Sequence, residues 1–181
     1  TIKSGELTTL SCSVGMYFSG TTPPDNMDAF NRGYTSIYCE IDGIDGDVTY
    51  DRLTNLINVY DFKHEIHIEI PSNISLVTTV HAPIVITKHV DVSTPLLMRA
   101  CSIGQAVREV VLYFYRMDAG KPKRYYVITM ENVMITKIVS KNYTSNQPYQ
   151  DMEEVSFSYQ KITWHNLDTG VSTQYDTILM K

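Results

Sequence analysis

From Leu56 to Ile70 the chain switches polarity at nearly every step. Tyr60, Phe62, Ile66, Ile68 and Ile70 alternate with Asp61, Lys63, Glu65, His67 and Glu69. A period of two over this length predicts one strand, apolar toward a core and charged toward water. Such a strand belongs in an antiparallel sheet, because parallel strands are usually covered on both faces. The charged row carries both signs, so its neighbours partly compensate. His64 falls in the apolar row and is read as a hydrogen-bonded, partly buried histidine rather than a catalytic one.

Further strands surround a single helix signal. Pro83 to Val90 is apolar and β-branched. In Asp91-Val92-Ser93-Thr94-Pro95, Thr94 suits an N-cap and Pro95 the first helical position. Leu96, Leu97, Ala100, Cys101 and Ile103 then share one face of about two and a half turns. Of these, Leu96, Leu97, Ala100 and Cys101 are the expected helix core. Gly104 fits just past the end, where a positive φ is wanted. Glu109 to Tyr115 returns to strand, Asp118 to Pro122 is a hairpin turn, and Tyr125 to Val139 is strand again, joined or bent near Asn132. From Val155 to Trp164 the alternation slips by one residue, which predicts a bulge near Gln160-Lys161. Val171 to Leu179 offers a closing strand. The expected class is mainly β: an antiparallel barrel or packed sheets with one short helix covering an open end. Val110 to Tyr115 and Tyr125 to Met130 are apolar or aromatic on both faces, more than one sheet interior needs. Burial under the helix or against a neighbouring subunit would absorb the surplus.

The chain has 181 residues, 43% of them hydrophobic and 19% charged, with a net charge of −5. These totals suit one globular domain with a substantial core. Without a lysine or arginine cluster, nucleic acid is not an expected partner. No apolar run reaches the length of a membrane helix, and the first twenty residues lack a signal-peptide pattern. Cys12, Cys39 and Cys101 have no zinc-ligand spacing and are read as reduced thiols. Asp45-Gly46-Asp47 lacks the closing glutamate of a calcium loop and is read as a surface turn. No catalytic motif is present, and neither catalysis nor a cofactor is expected. Residues 1–35, rich in Thr, Ser and Gly, differ in texture from the rest. They are read as an N-terminal extension in the form of an ordered arm, with Leu7 to Val14 as an added strand.

Several blocks carry a resemblance. They are Ile37-Tyr38-Cys39-Glu40-Ile41-Asp42-Gly43-Ile44-Asp45-Gly46-Asp47, then Asp91 to Gly104, Glu109 to Arg116, Tyr126 to Ile135 and Glu154 to Trp164. In this order and spacing the chain resembles the hemolysin-coregulated protein (Hcp) family, which forms the tube of the bacterial type VI secretion system. The resemblance spans roughly residues 36–164, so 36–181 is read as an Hcp-like tube domain. It implies homohexameric rings that stack into a tube within a contractile sheath. It also implies sheath, spike and baseplate partners and small effector proteins carried in the lumen. Assembly in the bacterial cytoplasm, followed by secretion or delivery into target cells, comes with it. Matched to the family, Asp61, Lys63 and Glu65 face the lumen. The loop from Pro71 to Ala82, with Ile74, Leu76 and Val77, reaches along the tube to the next ring. Two other readings stand beside this one. A phage-type tail tube protein has the same architecture, and a monomeric β-barrel binder of a small apolar ligand would place its polar rows in bulk water.

Overall fold

The computed structural model describes residues 36–50, 53–69, 78–141 and 151–178. The N-terminal extension with its expected strand and Cys12, and the stacking residues Ile74, Leu76 and Val77, lie outside the described residues. Eleven strands and one helix follow in order: β1 (Ser36–Ile41), β2 (Val48–Tyr50), β3 (Leu53–Val59), β4 (Asp61–Lys63), β5 (Ile66–Glu69), β6 (Thr78–His81), β7 (Ile84–His89), α1 (Thr94–Ile103), β8 (Ala106–Asp118), β9 (Lys121–Lys141), β10 (Met152–Asn166) and β11 (Ser172–Asp176). The fold is mainly β, antiparallel throughout, with one helix among the described residues.

The main sheet runs β2-β3-β1-β8-β9-β10-β7-β4, with β11 on the second half of β10; β5 and β6 form a separate ribbon. β3 and β4 are one segment hinged at Tyr60, so the chain steps directly from the second strand at one end of this sheet to the last strand at the other. The Tyr60 N–H donates to the Thr87 carbonyl at 2.8 Å. The sheet therefore curls back on itself, although its ladder does not close among the described residues. The interior holds the inward rows of β1, β3 and β7 to β10, with Cys39, Ile57, Ile84, Leu112, Met130 and Phe157 fully buried.

The long alternating strand is broken into three. β3 pairs with β1 and β2, β4 with β7, and β5 with β6. The inward row changes at both breaks: Ile57 and Val59 face the core in β3 and Phe62 in β4, while Ile66 and Ile68 are 45% and 58% exposed, because β5 pairs only with β6, away from the core. The doubly apolar β8 finds both of its partners inside the domain. Val110, Leu112 and Phe114 enter the main core, while Tyr115 joins Tyr38, Val48 and Leu56 in a second cluster beneath β2 and β3.

The phase slip in β10 falls where expected, without a ladder shift there. Tyr159 packs inward and so does Ile162, yet Tyr159↔Val133 and Lys161↔Glu131 keep one register. Its neighbours slip at the same level: β9 from Met130 to Val133 and β8 from Val107 to Val110, all buried. Asn132 bends β9 at φ 51 and its side-chain amide donates to Gln160 Oε1 at 3.0 Å. The ladder irregularity between β9 and β10 sits instead at Ser156/Phe157.

Candidate assembly surfaces

The charged row belongs to β4 and the turn after it. Asp61, Lys63 and Glu65 are exposed, and Phe62 between them turns inward to meet Phe114 edge-on at 5.3 Å. Lys63 Nζ and Glu65 Oε2 are 3.5 Å apart, and Glu65 Oε1 lies 3.5 Å from His67 Nδ1. Exposed pairs at this distance contribute little to stability. What the row supplies is a wetted strip of mixed charge at the β4 edge of the sheet.

The helix lies against β9 and is held at both ends. Ser93 rather than Thr94 is the N-cap residue, and it makes no side-chain cap hydrogen bond. Thr94 is already helical, and its hydroxyl serves a different purpose, described below. Gly104 closes the other end at φ 61, and the Gln105 N–H reaches the Ala100 carbonyl at 2.9 Å. Leu97 and Ala100 are buried and Cys101 is half-buried against the core. Leu96 and Ile103 are 43% and 62% exposed. Placing Leu96 and Ile103 on the buried face is thus corrected: the sheet covers only a narrow stripe of so short a helix, and neither side chain falls on it. Together with Val90 and Val92, they form an exposed apolar border around α1.

Before the helix lies a buried polar cluster that the sequence reading missed. Ile84, Ile86 and Lys88 occupy the inward row of β7, and Lys88 is fully buried. Its ammonium group donates to Glu153 Oε1 at 2.7 Å, Asp91 Oδ1 at 2.8 Å and the His89 carbonyl at 2.7 Å. The Thr94 hydroxyl donates to Glu153 Oε1 at 2.8 Å and accepts from the Asp91 N–H at 3.1 Å. Asp91 Oδ1 also accepts from the Ser93 N–H and hydroxyl. Two buried carboxylates thus share one lysine and tie β7, β10 and the start of α1 together. The available signal was the lysine itself, standing in a row otherwise apolar, with an acid three residues on. Cys39 lies in the same interior, and burial pushes its thiol well up from the ordinary range.

A second missed cluster joins distant stretches. Tyr159 Oη lies 3.2 Å from His64 Nε2 and 3.1 Å from His81 Nδ1. His64 stacks on Trp164, with ring centres 5.9 Å apart at 19°, and His81 on Tyr175, at 4.0 Å and 16°. Burial pushes the Tyr159 phenol up to about 12. Both imidazoles are held below their ordinary value, His64 by burial and then by His81, and His81 by burial. His64 is hydrogen-bonded and half-buried, as its place in the apolar row suggests. Among the described residues, no group of three or more His, Cys, Asp or Glu side chains could hold a metal ion. No described helix is long and apolar enough to cross a membrane.

The fold and its surfaces define an antiparallel β domain with a single covering helix, apolar on the outside at the β5–β6 ribbon and around α1. Residues 38–165 match the family model described as "Type VI secretion system effector, Hcp", and the chain belongs to that family. The major exported protein of Pseudomonas aeruginosa is 32% identical over 127 residues, 66% of this chain and 74% of that protein. Hcp3 from Pseudomonas aeruginosa, a secreted protein, is 29% identical with a TM-score of 0.65, over 78% of this chain and 97% of its own. Hcp1 from E. coli EAEC 042 is 27% identical with a TM-score of 0.68, over 79% and 97%. Hcp1 from Salmonella typhimurium, 20% identical with a TM-score of 0.69 over 80% and 96%, shares the fold. The family places the chain with type VI secretion.

Proposed function

We propose that the chain is a structural tube subunit whose work is assembly, not catalysis. Six copies close a ring by heterologous contacts, since a rotation that closes gives a cyclic assembly. Rings then stack into a tube, with sheath, spike and baseplate proteins as partners. Residues 36–181 are the tube domain and 1–35 an extension to it. Asp61, Lys63 and Glu65 line the lumen, where small effector proteins travel. Ile74, Leu76 and Val77 meet the next ring. Assembly takes place in the bacterial cytoplasm and ends in export or delivery into a target cell.

One observation supports this reading above the rest. The domain completes its own core and still exposes Ile66 and Ile68 on the ribbon and Val90, Val92, Leu96 and Ile103 around α1. Exposed apolar groups in such concentration mark contact surfaces. Light scattering at micromolar concentration should give the mass of a ring, and negative-stain images should show an annulus. A monomer under those conditions would overturn the proposal. Charge reversal of the row by Asp61→Lys with Glu65→Lys should leave the ring mass unchanged and alter which small proteins co-purify with it. Loss of the ring would show that the row is an inter-subunit contact.

A further inference from the structure

The β4–β7 ribbon does not run smoothly into the β5–β6 arm. The last ladder pair below the break is Lys63↔Val85 and the first above it is Ile66↔His81. His64 and Glu65 face Ala82, Pro83 and Ile84 across the gap, two residues against three, so the register shifts. Pro83 has no N–H to give. One backbone bond spans the gap, from the Ala82 N–H to the Glu65 carbonyl at 3.1 Å. A ribbon interrupted in this way is a hinge unless something else fixes its angle.

The fixing groups are the two histidines beside the break. His64 follows β4 and His81 ends β6, one on each strand of the arm's root. Both reach the same phenol, Tyr159 on β10, which belongs to the body of the domain. We propose that His64, His81 and Tyr159 form an acid-released latch, which holds the β5–β6 arm to the domain when both imidazoles are neutral and frees it on their protonation.

The proton count supports this. A phenol has one proton to donate and lone pairs to accept. With both rings neutral, Tyr159 donates to one ring nitrogen and accepts from the N–H of the other, so the trio is satisfied. Once both rings are cations, every ring nitrogen is a donor. The Tyr159 proton then has no acceptor in the trio, and two like charges share one half-buried oxygen. Stacking on Trp164 and Tyr175 favours a cation. Burial opposes it, and His81 repels a charge on His64; both hold the imidazoles below their ordinary value.

Among the described residues, the carboxylates nearest the trio already have partners. On the arm, Glu65 is taken by Lys63 and His67. On β10, Lys161 is paired with Glu131 at 2.6 Å, and His165 points to the face opposite Trp164. On β11, Asp176 accepts from the Ile178 N–H at 2.8 Å. Tyr175 meets His81 through its ring face, at 4.0 Å between centres. Because the folded imidazoles sit below the ordinary 6.5, the latch contributes fully above that pH and is lost as pH falls through the depressed values. Its release alters how Ile66 and Ile68 are presented.

The test reads the arm itself and does not depend on ring formation. Amide exchange of residues 66–69 and 78–81 is corrected for intrinsic pH dependence and compared at about pH 7.5 and about pH 5. Each sample is checked by light scattering so that the same oligomeric state is compared. Protection of the arm should be lost in acid, the direction that the lowered imidazoles set. Protection of α1 and β8 should hold. His64→Gln with His81→Gln should abolish the pH dependence, and Tyr159→Phe should loosen the arm at both values. Equal wild-type protection at the two pH values would overturn the latch, as would a pH dependence that survives in the double variant. The ring C2 proton resonances of His64 and His81 give a check without mutation: midpoints at or above 6.5 would also overturn it.

Discussion

Gly46 sits where a side chain cannot. A Cβ there would lie 2.2 Å from the Leu56 carbonyl oxygen, and the Gly46 N–H already donates to the Asn55 carbonyl at 2.9 Å. Both neighbours are backbone and cannot turn aside. Gly46→Ala should destabilise the domain by about 2 kcal/mol or more, seen as a lower urea midpoint. The reading of Asp45-Gly46-Asp47 as a surface turn is corrected: the turn lies at Asp42-Gly43, between the bridged Ile41 and Ile44, and Gly46 is buried against β3. Lys88 raises the stakes further. Lys88→Met would strand Asp91 and Glu153 in the interior, at a cost of about 3–5 kcal/mol. Adding Glu153→Leu should recover part of that loss, so a double-mutant cycle should show strong coupling between the two residues. Strictly additive losses would mean that the pair does not act as a unit.

At the scale of elements, the helix gives a sharp contrast between neighbours. Leu97 is fully buried and Leu96 is not. Leu97→Asp should lose the fold, since an unpaired buried carboxylate costs several kcal/mol, comparable with a domain's whole stability. Leu96→Asp should keep near-parental melting. Circular dichroism on both variants settles the face; equal melting would reverse it. Helix limits were legible to within a residue, because Pro95 and Gly104 act locally. The alternating stretch from Leu56 to Ile70 was legible only in part. Its period reveals which residues share a side, and that holds in each piece. It carries nothing about which strand pairs with which; the break at Tyr60 shows only as the adjacent apolar pair Val59-Tyr60, where the inward row passes from Ile57 and Val59 to Phe62, and the break at His64-Glu65 left no trace in the pattern.

For the molecule as a whole, the order of blocks from Ser36 to Trp164 carried the family, while the features formed by long-range closure did not declare themselves. His64 and His81 meet Tyr159 across 95 and 78 residues of chain. No local spacing reports such a meeting. The surplus apolar faces of β8 were legible, yet their assignment to a neighbouring subunit or the helix was too narrow, because Tyr38, Val48 and Leu56 cover part of them within the domain. What remains exposed is better placed for contact between copies. Val92→Asp with Ile103→Asp should leave melting almost unchanged and lower the mass measured by light scattering. An unchanged ring mass would remove the border of α1 from the assembly surface.

Arg108, Asn132 and Gln160 stand side by side across β8, β9 and β10, where all three strands slip phase together. This row makes the length of each strand the concern of the other two. Deleting Asn132 alone would turn one half of β9 inside out, since a one-residue slip sends every side chain to the opposite face. Deleting Arg108, Asn132 and Gln160 together would restore plain alternation in all three strands and keep their pairing. The single deletion should therefore abolish soluble protein and the triple deletion should rescue it. Along this row the chain can gain or lose residues only in threes, one from each strand.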